Sequence, residues 1–586
     1  RVTMVISKRR YTVSVYFALA FYTYANESLG VVCFATNGQT SNPTTNGGPH
    51  HRPSHQYEHL SSILPPLDGN KDDSFEMSKT RRSPTELFAS AIPAQADDEP
   101  ENLSDSMSQS GKMEKQSVSK TDGDADNEIV GRWPCFDELD KNLIKLALPT
   151  IANFAINPLI GAVDLFWVNR MGNALAVAGQ AAANQVFNSI FWLTSFLPSV
   201  TATLVSKANA GGDKEGVQDA ICQAIVVGLV FAMLGSCFLL FQPNMVLKSV
   251  LKDGAPALEY ALPYLFIRSF AFLPSMLTLI GFSAFRGVLD PLTPMKISLF
   301  ANLFNAILDP ILIFPLGLGV TGAALATLAA EIISGSIFFY MMAKRKMISW
   351  SKLCSLPKWE KLEPLVRGGA ALQLRNFALN LTFIAVTRVT QSLDEAGIAA
   401  AAHAMSIQVF QLGGIVLLAL STVAQIVVPN RMVETVDPIT KKKTGGPLSA
   451  KSAVNRLMSW GLVLGILLGA LQIGVLPLLH KSSPLPEVRE AAKMPSYLAS
   501  IYQVINGLVF IGEGVMIGTG SFLQLSLSTL VATCATLLAL NKFPLKYGLT
   551  GVWMSFGVFN TIRLLGVWLH QTKNGPLARR NLEKTQ

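Results

Sequence analysis

Charge is what this 586-residue chain has least of: Asp, Glu, Lys and Arg make up 15% of it, against about 25% in ordinary soluble domains. Half of the residues are apolar, which argues against a soluble fold with a charged shell. Cysteine is also sparse. The six (Cys33, Cys135, Cys222, Cys237, Cys354, Cys534) form no CxxC pair and show no metal spacing, so neither a disulfide framework nor a zinc site is read here. Those inside apolar stretches serve as small hydrophobes. Between Leu143 and Leu569 there is no nucleotide-binding loop, metal-ligand set or nucleophile–base pair, and no enzyme is expected.

Long apolar stretches are abundant instead. About twelve approach the ~20 residues that span a bilayer, and many carry Gly, Pro, Asn or Thr, which membrane helices tolerate when neighbours satisfy the freed backbone. The fold class read from them is an all-α polytopic membrane protein. The net charge of +9 does not point to nucleic acid, because its distribution follows the spans. Lys344, Arg345, Lys346, Lys352, Lys358, Lys361 and Arg367 crowd the connection after the sixth, and Arg431, Lys441, Lys442, Lys443, Lys451 and Arg456 the one after the eighth. The positive-inside rule then puts even-numbered connections on the cytosolic side or its equivalent.

The stretches repeat. Asn153-Phe-Ala-Ile-Asn157 returns as Asn376-Phe-Ala-Leu-Asn380, and Gln185-Val-Phe187 as Gln408-Val-Phe410, both 223 positions later. Gly319-Val-Thr-Gly322 returns as Gly548-Leu-Thr-Gly551, 229 positions on. Six spans per repeat is an even number, so both halves enter the membrane in the same direction. Two parallel six-helix bundles around a central cleft are the build of a secondary transporter.

The first residues are a different polymer. Lys8-Arg-Arg10 precedes an apolar run from Tyr11 to Ala25, a charged n-region before an h-region. Residues 37–127 are rich in Ser, Asn, Thr, Pro, Gly and acids, a composition of disorder. A signal followed by the acid-poor stretch Thr36 to Pro53 has the form of a bipartite plastid address; a plain secretory signal is the alternative. His50, His51, His55 and His59 are read as part of a solvated low-complexity tract. The domain expectation is targeting segment 1–36, disordered region 37–135, first bundle 136–346, basic linker 347–366, second bundle 367–572 and tail 573–586.

Ionisable groups inside spans are costly and therefore functional candidates. Asp164 lies in the first span and Asp309 in the fifth. Asn305 precedes Asp309 by four and shares its helix face, while Pro310 leaves the carbonyl of Ala306 without its helical partner. Carboxylate, amide and carbonyl suit a proton or a small cation, and Thr327 in the sixth span adds a hydroxyl. A dry setting disfavours the charged form of a carboxylic acid, which suits a proton carrier. The repeat equivalents of Asp164 and Asp309 are Thr387 and Leu538, so coupling chemistry is expected in the first half. Glu331, four after Thr327, Arg375 beside Asn376, and Glu513 are the other intramembrane charges. Arg375 either holds an anionic substrate or pairs with Glu331 or Glu513. Arg286 and Arg388, nearer span ends, are expected to snorkel, and His403 to be a core residue.

At these residues the chain resembles the multidrug and toxic compound extrusion (MATE) family over about Leu143 to Leu569. The likeness rests on the span-one Asp followed by Met171-Gly172, on Ala176-Val-Ala-Gly-Gln180, Phe285-Arg-Gly287 with Asp290, Asn305-x-x-x-Asp309-Pro310, and Gly319-Val-Thr-Gly-Ala-Ala324 leading to Ala326-Thr327. The resemblance implies twelve helices in two lobes and export of a solute against protons or sodium. It also implies a cation site at Asp164, Asn305, Asp309 and Thr327. Leu374-Arg375 and Phe510-Ile-Gly-Glu-Gly514 are most similar to the plant and algal branch with citrate exporters and plastid members. Glu331 departs from that pattern, and span seven lacks the acid of other eukaryotic members. The expected function is a cation-coupled antiporter, proton rather than sodium, carrying a small organic solute such as citrate. Arg375, Asn376, Asn380, Glu331 and Glu513 are the candidate substrate residues. The alternatives are a lipid-linked flippase and an exporter of organic cations or xenobiotics. Beyond the coupling ion no cofactor or metal is expected; the partners are the bilayer and a small-molecule substrate, not nucleic acid, and the chain is read as a monomer. The membrane is the plastid envelope or thylakoid, otherwise the plasma or vacuolar membrane.

Overall fold

The computed structural model describes residues 133–582 except 249, 252–253, 355–358, 395–396, 437–442 and 481–484. The readings on residues 1–132, the four-histidine tract among them, lie outside the described residues, as does the side chain of Asn157.

Nine helices among the described residues are long and apolar enough to cross a membrane: Ala174–Ala210, Lys214–Phe241, Leu292–Ile313, Gly319–Lys344, Ile398–Met432, Gly446–Leu478, Pro486–Gly518, Phe522–Leu540 and Phe543–Asn574. A tenth span is a pair, Leu258–Phe270 and Phe272–Gly287, bent by 50°. Pro274 explains the bend, because it has no N–H for the carbonyl of Phe270. Two further helices, Glu138–Asn169 and Trp359–Gln391, are long enough but less apolar. Each opens one half of the chain, and each carries polar side chains at membrane depth: Asn153 and Asp164 in one, Arg375, Asn376 and Asn380 in the other. With them the chain is an all-α protein of twelve spans, numbered below one to twelve in chain order, in two sets of six.

The repeated Gly-x-Thr-Gly does the same work twice. Gly319 opens span six and Gly548 kinks span twelve near its start, both at positive φ, 57° and 54°, which only glycine adopts without cost. The second glycine of each motif permits close approach. A Cβ on Gly322 would lie 2.8 Å from the backbone of Leu312, and one on Gly551 would lie 2.3 Å from the carbonyl oxygen of Phe543.

Even-numbered connections meet on one face. Arg345, after span six, bonds Asp290, after span four, at 2.8 Å; Lys352 reaches Asp219, at the start of span three, at 2.7 Å. On the opposite face the amide of Asn173, after span one, donates to Tyr260, at the start of span four, at 2.9 Å. The two halves pack together toward the basic face. Leu139 and Leu143 of span one and Ala202 of span two share an apolar cluster with Val423, Ala424, Ile426, Val427 and Val428 of span eight and with Ala450 and Leu457 of span nine. Ser206 donates to the carbonyl of Ile426 at 2.5 Å.

Several basic residues assigned to connections lie inside helices, among them Lys361, Arg367, Arg431, Lys451 and Arg456, and one of these is fully enclosed. Arg456 is fully buried inside span nine, where it donates to Asp140 and Asp137 at 2.7 Å each. Asp140 also accepts from the Trp460 indole at 2.7 Å and from the backbone N–H groups of Cys135 and Phe136. The start of span one is thereby tied to span nine of the other half.

Candidate functional site

Two separate polar clusters lie inside the membrane region, one in each half. In the first, the helical spacing of span five sets Asn305 above Asp309, and the Asn305 side-chain amide donates to both acids. It reaches Asp164 of span one at 2.7 Å and Asp309 at 3.2 Å. Asn305 is 2% exposed and Asp309 0%, so a buried amide bridges a buried carboxyl group and the half-buried one of Asp164. Asn305 Oδ1 and Asp309 Oδ1 are buried without a partner. Two carboxylates so placed repel one another when both are ionised, and a bound proton or cation relieves that repulsion.

Thr327 does not bond this trio. Its hydroxyl donates to the carbonyl of Ala323 in its own helix at 3.0 Å, which leaves only oxygen lone pairs to offer a cation. Glu331 lies elsewhere in the same interior, facing Ser275 and within electrostatic reach of Arg268.

Arg268 is the residue that sequence reading missed. It ends the first segment of the bent span four, is 7% exposed, and stands over the Phe187 ring with Cζ 4.2 Å from the centroid. Asp164 and Tyr264 also lie within its electrostatic reach, and Tyr264 donates to Asn184 at 3.1 Å. The break in span four, signalled by Pro274, was the available clue: broken helices are where membrane transporters place polar groups.

In the second half Glu513 takes two arginines. Arg563 forms a two-pronged contact, Nε to Oε1 at 2.7 Å and Nη2 to Oε2 at 2.9 Å, and Arg375 Nη2 donates to Oε2. Arg563 also reaches Asn560 at 3.2 Å, the repeat equivalent of Glu331. Of the two pairings read for Arg375, the structure contains the one with Glu513, and Arg563 is a second residue not singled out before. Asn376 donates to Ser195 of the first half at 2.9 Å, and Asn380 to the carbonyl of Asn376 at 3.0 Å. Of the five candidate substrate residues, four gather in this half and Glu331 stands apart in the other.

Two smaller readings meet different fates. Arg388 is exposed, but Arg286 is 7% exposed and does not snorkel. Its guanidinium folds back on its own helix, over the Phe282 ring at 4.5 Å and onto the carbonyl of Phe282 at 3.4 Å. His403 is buried beside Trp553, ring centroids 5.8 Å apart.

The twelve-span, duplicated arrangement with a carboxylate pair in its first half defines a multi-pass membrane transporter fold. A family profile described as MatE matches residues 149–311. The chain is 26% identical over 464 residues to Protein DETOXIFICATION 44, chloroplastic, of Arabidopsis thaliana, a match covering 76% of this chain and 84% of that one. A probable multidrug resistance protein NorM of Thermotoga maritima is 24% identical, with 71% and 89% covered. Among solved structures, a MATE crystal structure in the bent conformation superposes with a TM-score of 0.66 at 18% identity, covering 76% of this chain and 97% of that one. In sequence and in fold the chain is similar to MATE transporters.

Proposed function

We propose that this chain is a proton-coupled antiporter that exports a small organic solute by alternating access, with Asp164, Asn305 and Asp309 as the coupling site. The observation that carries the reading is the bridging of both carboxyl groups by one buried amide at 2.7 and 3.2 Å. A proton needs one acceptor oxygen where a metal cation needs several, and Asn305 Oδ1 and Asp309 Oδ1 are both without a partner. Occupation of the site shifts the equilibrium between inward- and outward-open states in proportion to its differential affinity for them.

The substrate reading changes with the geometry. The sequence favours citrate through Arg375, and Arg375 is engaged by Glu513. A trianion also finds three acids, Asp164, Asp309 and Glu331, in the first half. A solute with a cationic end fits this interior better, and it competes with the proton as antiport requires. The chloroplastic designation of relatives in Arabidopsis thaliana supports a plastid membrane for this chain.

The test is ethidium and radiolabelled citrate efflux from proteoliposomes under an imposed pH gradient and, separately, a sodium gradient. The expected result is pH-driven flux that Asp309→Asn reduces to the level of protein-free vesicles. Sodium-driven flux, or pH-driven flux unchanged in the variant, overturns the proton site.

A further inference from the structure

We propose that the interior of the first half binds a zwitterion, a small amino-acid-like solute. Arg268 holds its carboxylate, and Glu331 or the Asp164–Asp309 pair holds its ammonium. The inference rests on the antiporter reading and adds the substrate class.

The argument starts from what Arg268 lacks. A buried arginine normally spends its five N–H donors on carboxylates and carbonyls. Arg563 does so, with both prongs on Glu513. Arg268 is as well buried, yet its Nε and Nη1 have no hydrogen-bond partner. The face of Phe187 supports the guanidinium plane from one side, and Nε and Nη1, on opposite sides of the fork, each keep N–H to donate. A charge-assisted bond from either is what a carboxylate would take. Unsatisfied polar atoms recur in the same interior: Gln180 Oε1 on span two, beside Tyr264, and the Asn305 and Asp309 oxygens on span five. Ser275, just past the 50° break of span four, faces Glu331 of span six.

Charge then selects the ligand. Among the described residues, Arg268 is the cation within electrostatic reach of both Asp164 and Glu331, and with Asp309 the acids there number three. A simple anion gains one attraction and meets several repulsions. A simple cation leaves the arginine donors unused. A solute carrying one charge of each sign answers both, and the sign of coupling follows. Its ammonium and the proton neutralise the same acids and exclude one another, whereas its carboxylate stays with Arg268 throughout. The departure at Glu331 acquires a role in this arrangement. Its repeat equivalent Asn560 sits where Arg563 is already saturated by Glu513, and no second acid is needed there.

The experiment measures binding to the full chain in nanodiscs through the concentration dependence of its melting temperature, since a ligand of the folded state raises it by mass action. Three probes are compared: the mixture of the twenty amino acids, the mixture of their amides (carboxylate removed) and the mixture of their N-acetyl derivatives (ammonium removed). The expected apparent affinity is at least tenfold higher for the amino acids than for either derivative. Arg268→Gln erases the advantage over the amides and keeps that over the N-acetyl compounds; Glu331→Gln does the reverse. Should Arg268→Gln not fold, Arg268→Lys keeps the charge without the fork and is expected to lose most of the same advantage. Equal affinity for all three mixtures, tighter binding of the N-acetyl compounds, or an equal loss for all three in Arg268→Gln overturns the proposal. So does recovery of parental affinities in the double Arg268→Gln, Glu331→Gln variant, which would make the two residues an internal pair. Proton-driven ethidium efflux without amino-acid binding removes the zwitterion alone; loss of that efflux removes the antiporter beneath it.

Discussion

The two halves of this chain bury similar kinds of side chain and leave their carboxyl groups in opposite conditions. In the second half the Glu513 carboxylate is saturated, with Arg563 on both oxygens and Arg375 on one, even though Arg375 Nε and Asn560 Nδ2 beside it keep no partner. In the first half two carboxyl groups share one amide, and a buried arginine keeps two nitrogens idle. Saturated networks rigidify a core, while an unsatisfied buried polar group costs free energy and asks for a reason. Duplication supplied both halves with the same scaffold. We read the saturated one as a brace and the unsaturated one as the working site.

The largest effect that sharpens this contrast is on transport. Asp309→Asn keeps shape and loses the titrating group, so pH-driven flux should fall to background while the melting temperature moves by no more than a few degrees. A variant that also melts much earlier would make the first cluster a brace as well. The mirror change, Glu513→Gln, should act on stability first. It leaves Arg375 and Arg563 facing a neutral amide in the membrane interior, and breaking a buried pair in this way costs about 3–5 kcal/mol. The checks are yield of folded protein and melting temperature in detergent; unchanged melting with selective loss of one substrate would return Glu513 to the substrate path.

Arg375→Ala is the next smaller test. Glu513 keeps Arg563, and the loss is one charged hydrogen-bond set, about 1.5–3 kcal/mol. Flux of ethidium and of citrate should decline together. A selective loss of citrate flux would restore the organic-anion role that the sequence suggested for Arg375.

What was legible in the sequence was whatever spacing determines. The i, i+4 relation of Asn305 and Asp309 fixed their common face, and the matching motifs fixed two parallel sets of six. Even the two helices that fall short of membrane hydropathy were readable as spans, because each opens a repeat. The unread residues are those whose meaning depends on a partner far along the chain. Arg563 carries no signal in its own neighbourhood; its partner Glu513 lies 50 positions earlier. Arg456 read as a loop charge because Asp140 lies 316 positions away. Arg268 was hidden differently: its significance is in bonds it does not make, which no pattern of letters records.

A surface pair provides the smallest and last test of the contrast. Asp290 accepts from the Thr293 hydroxyl at 2.6 Å, from the Thr293 backbone N–H at 3.1 Å and from Arg345 at 2.8 Å, outside the spans on the basic face. Partial burial alone would raise this carboxyl, but the Thr293 bonds and Arg345 outweigh it and hold the group below its ordinary value. A depressed carboxyl contributes stability that is complete above the unfolded value, about 3.9, and is lost as pH falls through the folded one. Arg345 is 41% exposed, so screening keeps the contribution to about 1 kcal/mol. Asp290→Asn should therefore melt slightly earlier than the parent at pH 6, with the two curves converging as pH falls below about 4. Added salt should narrow the same gap at pH 6, while the deficit of Glu513→Gln, shielded from solvent, should persist in the same salt. A gap for Asp290→Asn that ignored both acid and salt would mean that its carboxylate, like Glu513, braces the fold as a buried group.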